Sequence, residues 1–288
     1  MQRLVTPDSA FAWIKMQRQV DHHLFLLVEG DDEDSILYGH FLRDDVSILV
    51  LGGKPNVLAT SRLLALQPVK GVYSLIDRDM DDLTGSTATY PPNLVATKGY
   101  DLVSDIVAVR PDLFERTLRV HGKDVFDAVE VSTGSKFTDL CNELCLKLSA
   151  LRLVNDEEQL GLNLRDYPFA ALINSDFSSK EYSDFIREAN SRSKVTVDVS
   201  SVEVLVRAAA SRIGGDTRFC GGHDLVGAAS ALLRRGGAKS VGADNLAASL
   251  FTATDCETIG RLPVKDSICD WAGKFSRAAF DCSWRALN

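Results

Sequence analysis

Five consecutive apolar residues, Leu24–Val28, begin the most regular patterning in the chain. A run this short and this uniformly apolar reads as a strand buried on both faces. Ile36, Leu37, Phe41 and Leu42 then recur at helical spacing within 34–42, and Ser47–Leu51 forms a second apolar run ended by Gly52-Gly53. Pro55 suits the first turn of a further helix, whose apolar side is Val57, Leu58, Leu63, Leu64 and Leu66. Val72–Ile76 is the third strand-like run and Leu94–Ala96 the fourth. Strands alternating with helices at this spacing predict an α/β fold, a mostly parallel sheet flanked by helices.

From about residue 111 the pattern becomes largely helical. Helices are predicted over Phe137–Leu153, Lys180–Asn190 and Val202–Ile213, and over a stretch N-capped by Asp224 that runs to Arg235 and stops at Gly236-Gly237. A last helix is predicted over Ser267–Phe280, and Pro168–Ile173 reads as a short strand. The chain therefore divides into an α/β region, 1–110, and a mainly helical region, 111–288, with no repeat or flexible linker between them.

Composition adds exclusions. The 45% hydrophobic and 25% charged residues belong to a globular chain. An apolar run of about five residues is far short of the roughly 20 that span a bilayer. The first fifteen residues lack a basic segment followed by an apolar one, so a cytoplasmic location is expected. Cys141, Cys145, Cys220, Cys256, Cys269 and Cys282 have neither zinc spacing nor the density of a disulfide framework, and are expected to be reduced and buried. A net charge of −8 gives no broad attraction for nucleic acid. Its distribution is uneven: residues 1–110 hold 10 Lys/Arg against 15 Asp/Glu, whereas 207–288 hold 11 against 8. That asymmetry suits a metal centre beside a polyanion-binding surface, and equally suits ordinary surface variation.

The acids sit where a parallel sheet binds ligands, beyond the carboxyl ends of its strands. Glu29 follows the first run, and Gly30 is expected to turn the chain sharply where a Cβ would crowd the site; Asp31, Asp32, Glu33 and Asp34 come next. Asp77, Asp79 and Asp81 follow the third run. The i, i+2 spacing of Asp77 and Asp79 places two carboxylates close enough to share a divalent ion. Hard oxygen ligands without Cys or His nearby favour Mg²⁺ or Mn²⁺. Each cluster alone also reads as solvated loop acids or helix caps; the two together at adjacent strand ends favour a metal site.

The pair of segments, Leu26-Leu27-Val28-Glu29-Gly30 with Glu33 and Leu75-Ile76-Asp77-Arg78-Asp79-Met80-Asp81, resembles the Toprim domain of topoisomerases, primases, small-RNA maturases and overcoming-lysogenization-defect nucleases. The resemblance covers roughly residues 22–107. Gly52-Gly53-Lys54 with Val57, Thr97 through Asp101, and Gly222-His223-Asp224-Leu225 are further similar to the Toprim-like AriB-type effector subunits of PARIS anti-phage systems. One departure stands out: Val103 occupies the position where those relatives carry a glutamate, and Asp105 is the next acid along.

The resemblance implies a Mg²⁺- or Mn²⁺-dependent phosphodiester hydrolase with Glu29, Asp77, Asp79 and Lys98 catalytic. Glu29, Glu33, Asp77, Asp79 and Asp81 would be the metal ligands, Glu33 and Asp81 either holding a second ion or only orienting the others. Lys54 and Lys98, which follow the second and fourth runs, are each read either as a phosphate contact or as a surface lysine, and His223 either as a substrate contact or as a residue fixing the turn before its helix. No covalent nucleophile stands out, so water is the expected attacking group; the chain lacks a P-loop, and the resemblance implies a separate, ABC-like ATPase partner. The favoured activity is an endoribonuclease cleaving tRNA as a defence toxin, homodimeric when active. A DNA nuclease or nickase and a catalytically degenerate module regulating an ATPase are the alternatives.

Overall fold

Every residue of β1 (Leu24–Val28) is at most 1% exposed, the burial its unbroken apolar run requires. The strand lies between β2 (Val46–Val50) and β3 (Val72–Ile76), and β4 (Leu94–Ala96) pairs with β3. The sheet order is β2-β1-β3-β4 and every pairing is parallel. This is the α/β arrangement expected from the alternation of runs, with each strand within one residue of its predicted position. The computed structural model describes residues 6–30, 34–238 and 241–282. It divides the chain into two units, one running to Asp105 and resuming at Asp255, the other Ile106–Thr254.

In the first unit the strands are interleaved with α1 (Pro7–Gln17), α2 (Asp34–Phe41), α3 (Lys54–Leu66) and the short α4 (Asp81–Thr84), while α5 (Leu102–Val109) crosses its boundary. Thr6 caps α1 by accepting from the Ser9 N–H, the Ser9 hydroxyl reciprocates, and Pro7 presets the first turn. The helix brings Ala10 and Ile14 into one cluster with Phe25, Leu27, Val57, Leu64 and Val72. Ser74 interrupts the apolar face of β3 at little cost, because its hydroxyl pairs with that of Ser61 on α3 at 2.6 Å.

The second unit is helical: α6 (Pro111–Thr133), α7 (Phe137–Glu157), α8 (Tyr182–Arg192), α9 (Val199–Ile213), α10 (Gly222–Arg235) and α11 (Ala243–Ala253). Helix α7 is its axis, with α8, α9 and α10 packed on it. Cys141, Cys145 and Cys220 are buried among these helices, and burial pushes the Cys141 and Cys145 thiols up, so they stay protonated. Two expectations are corrected. Pro168–Ile173 is no strand; Phe169–Leu172 makes a single 3₁₀ turn, and Ile173 only bridges to Ser179. Asp224 is no N-cap, because Gly221 holds that position. Its carboxylate instead accepts two hydrogen bonds from the Arg152 guanidinium, at 2.9 and 3.0 Å, and a third Arg152 bond goes to the Leu164 carbonyl.

The chain re-enters the first unit through α12 (Cys256–Arg261) and α13 (Lys265–Gly273), the latter shorter than the helix expected to reach Phe280. Trp271 stacks on Tyr73 of β3 with ring centroids 5.6 Å apart. Phe280 bridges antiparallel to Leu42, and the Arg43 and Asp281 N–H groups donate to Ala279 and Phe41 carbonyls. Among the described residues no helix is long and apolar enough to cross a membrane.

This return corrects the reading of the cysteines. Cys256 and Cys282 are joined in a disulfide, their Cα atoms 5.6 Å apart. The pairing is tertiary in origin: 26 residues separate the two thiols, and the return to β3 and α2 brings them together. Closing a loop of that length is worth about 3.5 kcal/mol in the chain-entropy account. Cys256→Ser is therefore expected to lower unfolding stability by about that much in urea titrations under non-reducing conditions. Dithiothreitol should lower the wild type equally and leave the variant unmoved.

Candidate active site

Because the strands are parallel and in register, their carboxyl ends fall on one edge of the sheet. Val28 pairs with Val50, Leu27 with Ser74 and Ile76 with Ala96, so Glu29, Asp77 and Thr97 leave the sheet side by side. The Asp77 N–H donates to Glu29 Oε1 at 2.8 Å, and the Arg78 N–H to Thr97 Oγ1 at 2.9 Å. The acid ends of β1 and β3 are thus joined directly.

Turn geometry after β2 supplies the next group. Gly52 and Gly53 have φ of +75° and +119°, a region that suits only glycine at little cost. Gly53 caps α3, and its N–H donates to the Glu29 carbonyl at 2.8 Å. Gly30 needs no such freedom, since a Cβ there meets nothing within 4 Å and its φ is not left-handed. The crowding expected at Gly30 is absent, and the glycine requirement lies at Gly52-Gly53.

That turn sends Lys54 across to the end of β3. Its ammonium lies 2.7 Å from Asp79 Oδ2 and 2.7 Å from Asp81 Oδ2, and donates to the Arg78 carbonyl at 3.2 Å. The side chain is only 15% exposed. Burial pulls its pKa down, but Asp79 and Asp81 outweigh that and hold it above the ordinary lysine value. Of the two readings of Lys54, a plain surface lysine does not survive. Asp79 adopts φ +51°, which Asp tolerates better than most residues, and its N–H donates to the Tyr100 carbonyl at 2.8 Å. The Tyr90 hydroxyl donates to Asp81 Oδ2; burial, then that hydrogen bond, keeps the phenol protonated. Arg78 reaches the other way, Nε to the Thr97 carbonyl at 2.6 Å and Nη1 to Asp82 at 2.9 Å.

The turn after β4 is built around Asp105. The Lys98 and Gly99 N–H groups donate to its two oxygens at 3.0 and 2.7 Å, and the residue is 2% exposed. Asp105 is therefore a structural acceptor, and Val103, 1% exposed, belongs to the core. Asp101 caps α5 in a reciprocal arrangement with Ser104. The Lys98 side chain is exposed beside this turn.

The structure thus gathers Glu29, Lys54, Asp77, Asp79, Asp81 and Lys98 on one edge of the first unit. Glu33 lies outside the described residues. His223, exposed in the first turn of α10, belongs to the second unit. Among the described residues no three His, Cys, Asp or Glu side chains converge as a bound metal requires. The donor chemistry, all carboxylate and carbonyl oxygen, fits Mg²⁺ or Mn²⁺, but the cation now held between Asp79 and Asp81 is an ammonium. Tyr90 is the participant that sequence reasoning missed. Tyr90 precedes Pro91-Pro92 in an unpatterned loop, with nothing local to mark it.

Burial raises the Asp105 carboxyl above its ordinary 3.8, and the two backbone donors offset this only in part. A raised carboxyl binds its proton more tightly in the folded chain than in the unfolded one. Stability is then favoured at low pH and falls as pH rises from 3.8 through the folded value. Asp105→Asn removes this dependence, so melts across that window should give a flatter profile than wild type. Below that window the variant should also lose about 1 kcal/mol, because its amide offers one acceptor to two N–H donors. In comparisons with known proteins, the chain matches no family model and no curated protein.

Proposed function

We propose that the chain is a Toprim-like, Mg²⁺- or Mn²⁺-dependent endonuclease acting on RNA, with tRNA the favoured substrate. The observation that carries this reading is the 2.8 Å hydrogen bond from the Asp77 N–H to Glu29, which ties the acid ends of two neighbouring parallel strands into one group. Glu29 is the residue to move a proton at the attacking or leaving oxygen. Asp77, Asp79 and Asp81 are the residues that would hold the ion, which when bound neutralises charge on a non-bridging phosphate oxygen. Lys98, exposed after β4, is suited to an anionic phosphate oxygen beside that edge. Partnership with a separate ABC-like ATPase and a role in anti-phage defence go with this reading and rest on the resemblance alone; homodimerisation rests on a substrate larger than one small domain covers and on the prevalence of two-fold dimers.

The binding-module reading has one observation in its favour, the lysine seated between Asp79 and Asp81. Activity decides between them. Purified protein incubated with total tRNA and with plasmid, in Mg²⁺, Mn²⁺ or EDTA, should cut tRNA in a metal-dependent way. Plasmid cleavage alone would favour the DNA alternative, and no cleavage of either the module. Glu29→Gln retains an oxygen for the Asp77 N–H, so its melting temperature should stay close to wild type while cleavage falls by about 10²-fold or more. Full activity in that variant would remove Glu29 from catalysis.

A further inference from the structure

We propose that Lys54 is a resident counter-ion of the acid edge: its ammonium closes the Asp79–Asp81 pair in the metal-free protein, and a divalent ion enters that pair only as Lys54 leaves it. The inference rests on the metal-dependent reading above and specifies how that site is controlled.

Three features of the geometry carry it. An ammonium has three protons, and here it has three acceptors: Asp79 Oδ2, Asp81 Oδ2 and the Arg78 carbonyl. Two carboxylates and a backbone carbonyl are also the kinds of oxygen that a hard divalent ion selects. The ammonium therefore takes the contacts an ion would need, and two cations cannot share them. The second feature is the anchor. Lys54 opens α3, directly after Gly53, whose N–H is bonded to the Glu29 carbonyl, so the Lys54 Cα is held beside the edge. A flexible four-carbon stem can carry the charge out of the pair while that backbone stays in place. The third is the support behind the acids. Tyr90 donates to Asp81 and positions that carboxylate independently of the lysine, while the Asp79 N–H, bonded to the Tyr100 carbonyl, fixes the backbone that carries the other acid. When Lys54 swings out, the pair remains and the departing charge stays within one side-chain length of it, available to a phosphate oxygen of the substrate.

Calorimetric titration of Mn²⁺ into metal-free protein tests this without any activity assay. Lys54→Met should bind Mn²⁺ at least tenfold more tightly than wild type. Lys54→Arg, which keeps the charge, should not gain, and adding Asp79→Asn with Asp81→Asn to Lys54→Met should abolish the gain. Equal Mn²⁺ affinity in wild type and Lys54→Met overturns the counter-ion role while leaving the metal site standing. Absence of binding in both overturns the two together. A measurement on the wild type alone guards against a variant that fails to fold. Acetylation of lysines by an N-hydroxysuccinimide ester, read by mass spectrometry, should modify Lys54 at least fivefold faster with saturating Mn²⁺ than with EDTA, relative to exposed Lys98. An unchanged ratio overturns the proposal.

Discussion

A central strand buried on both faces has no room for a polar side chain until it leaves the sheet. β1 meets that constraint with five apolar residues, each at most 1% exposed, and then places Glu29 at the first position beyond its end. Parallel pairing carries the same rule to its neighbours, so the polar ends of β1, β3 and β4 meet on one edge. Acids concentrated there repel one another, and the fold answers with donors drawn from the backbone as much as from side chains. The Asp77 amide serves Glu29, the Lys98 and Gly99 amides serve Asp105, and the Lys54 ammonium serves Asp79 and Asp81. Glu29, Asp79, Asp81 and Asp105 thus each have a donor before any ligand arrives.

The strands and the acids that follow them were legible in the sequence because both are local signals. A short apolar run between glycines and helical spacings has one economical reading, and the residue after its last apolar position falls at the strand end. Which partner each acid takes was not legible. Lys54 lies 25 residues before Asp79 and reaches it only because α3 crosses from β2 over β1 to β3. As Gly-Gly-Lys it looks like any lysine after a turn. Asp105, the next acid after Val103, carries no local sign of burial; its two backbone donors are what permit it. Asp224 failed as a cap for the same reason, since Arg152, on another helix, claims its carboxylate. In each case the residue type was informative and its partner lay elsewhere in the chain.

The unit holding the sheet is discontinuous, taking up the chain again at Asp255 after the helical unit has been traversed. Its closing contacts, Trp271 on Tyr73, Phe280 beside Leu42 and the Cys256–Cys282 link, all come from that late segment. During synthesis on the ribosome, the helical unit emerges whole while the sheet still lacks these pieces. The unit that carries the sheet is therefore completed only after the helical unit has been made.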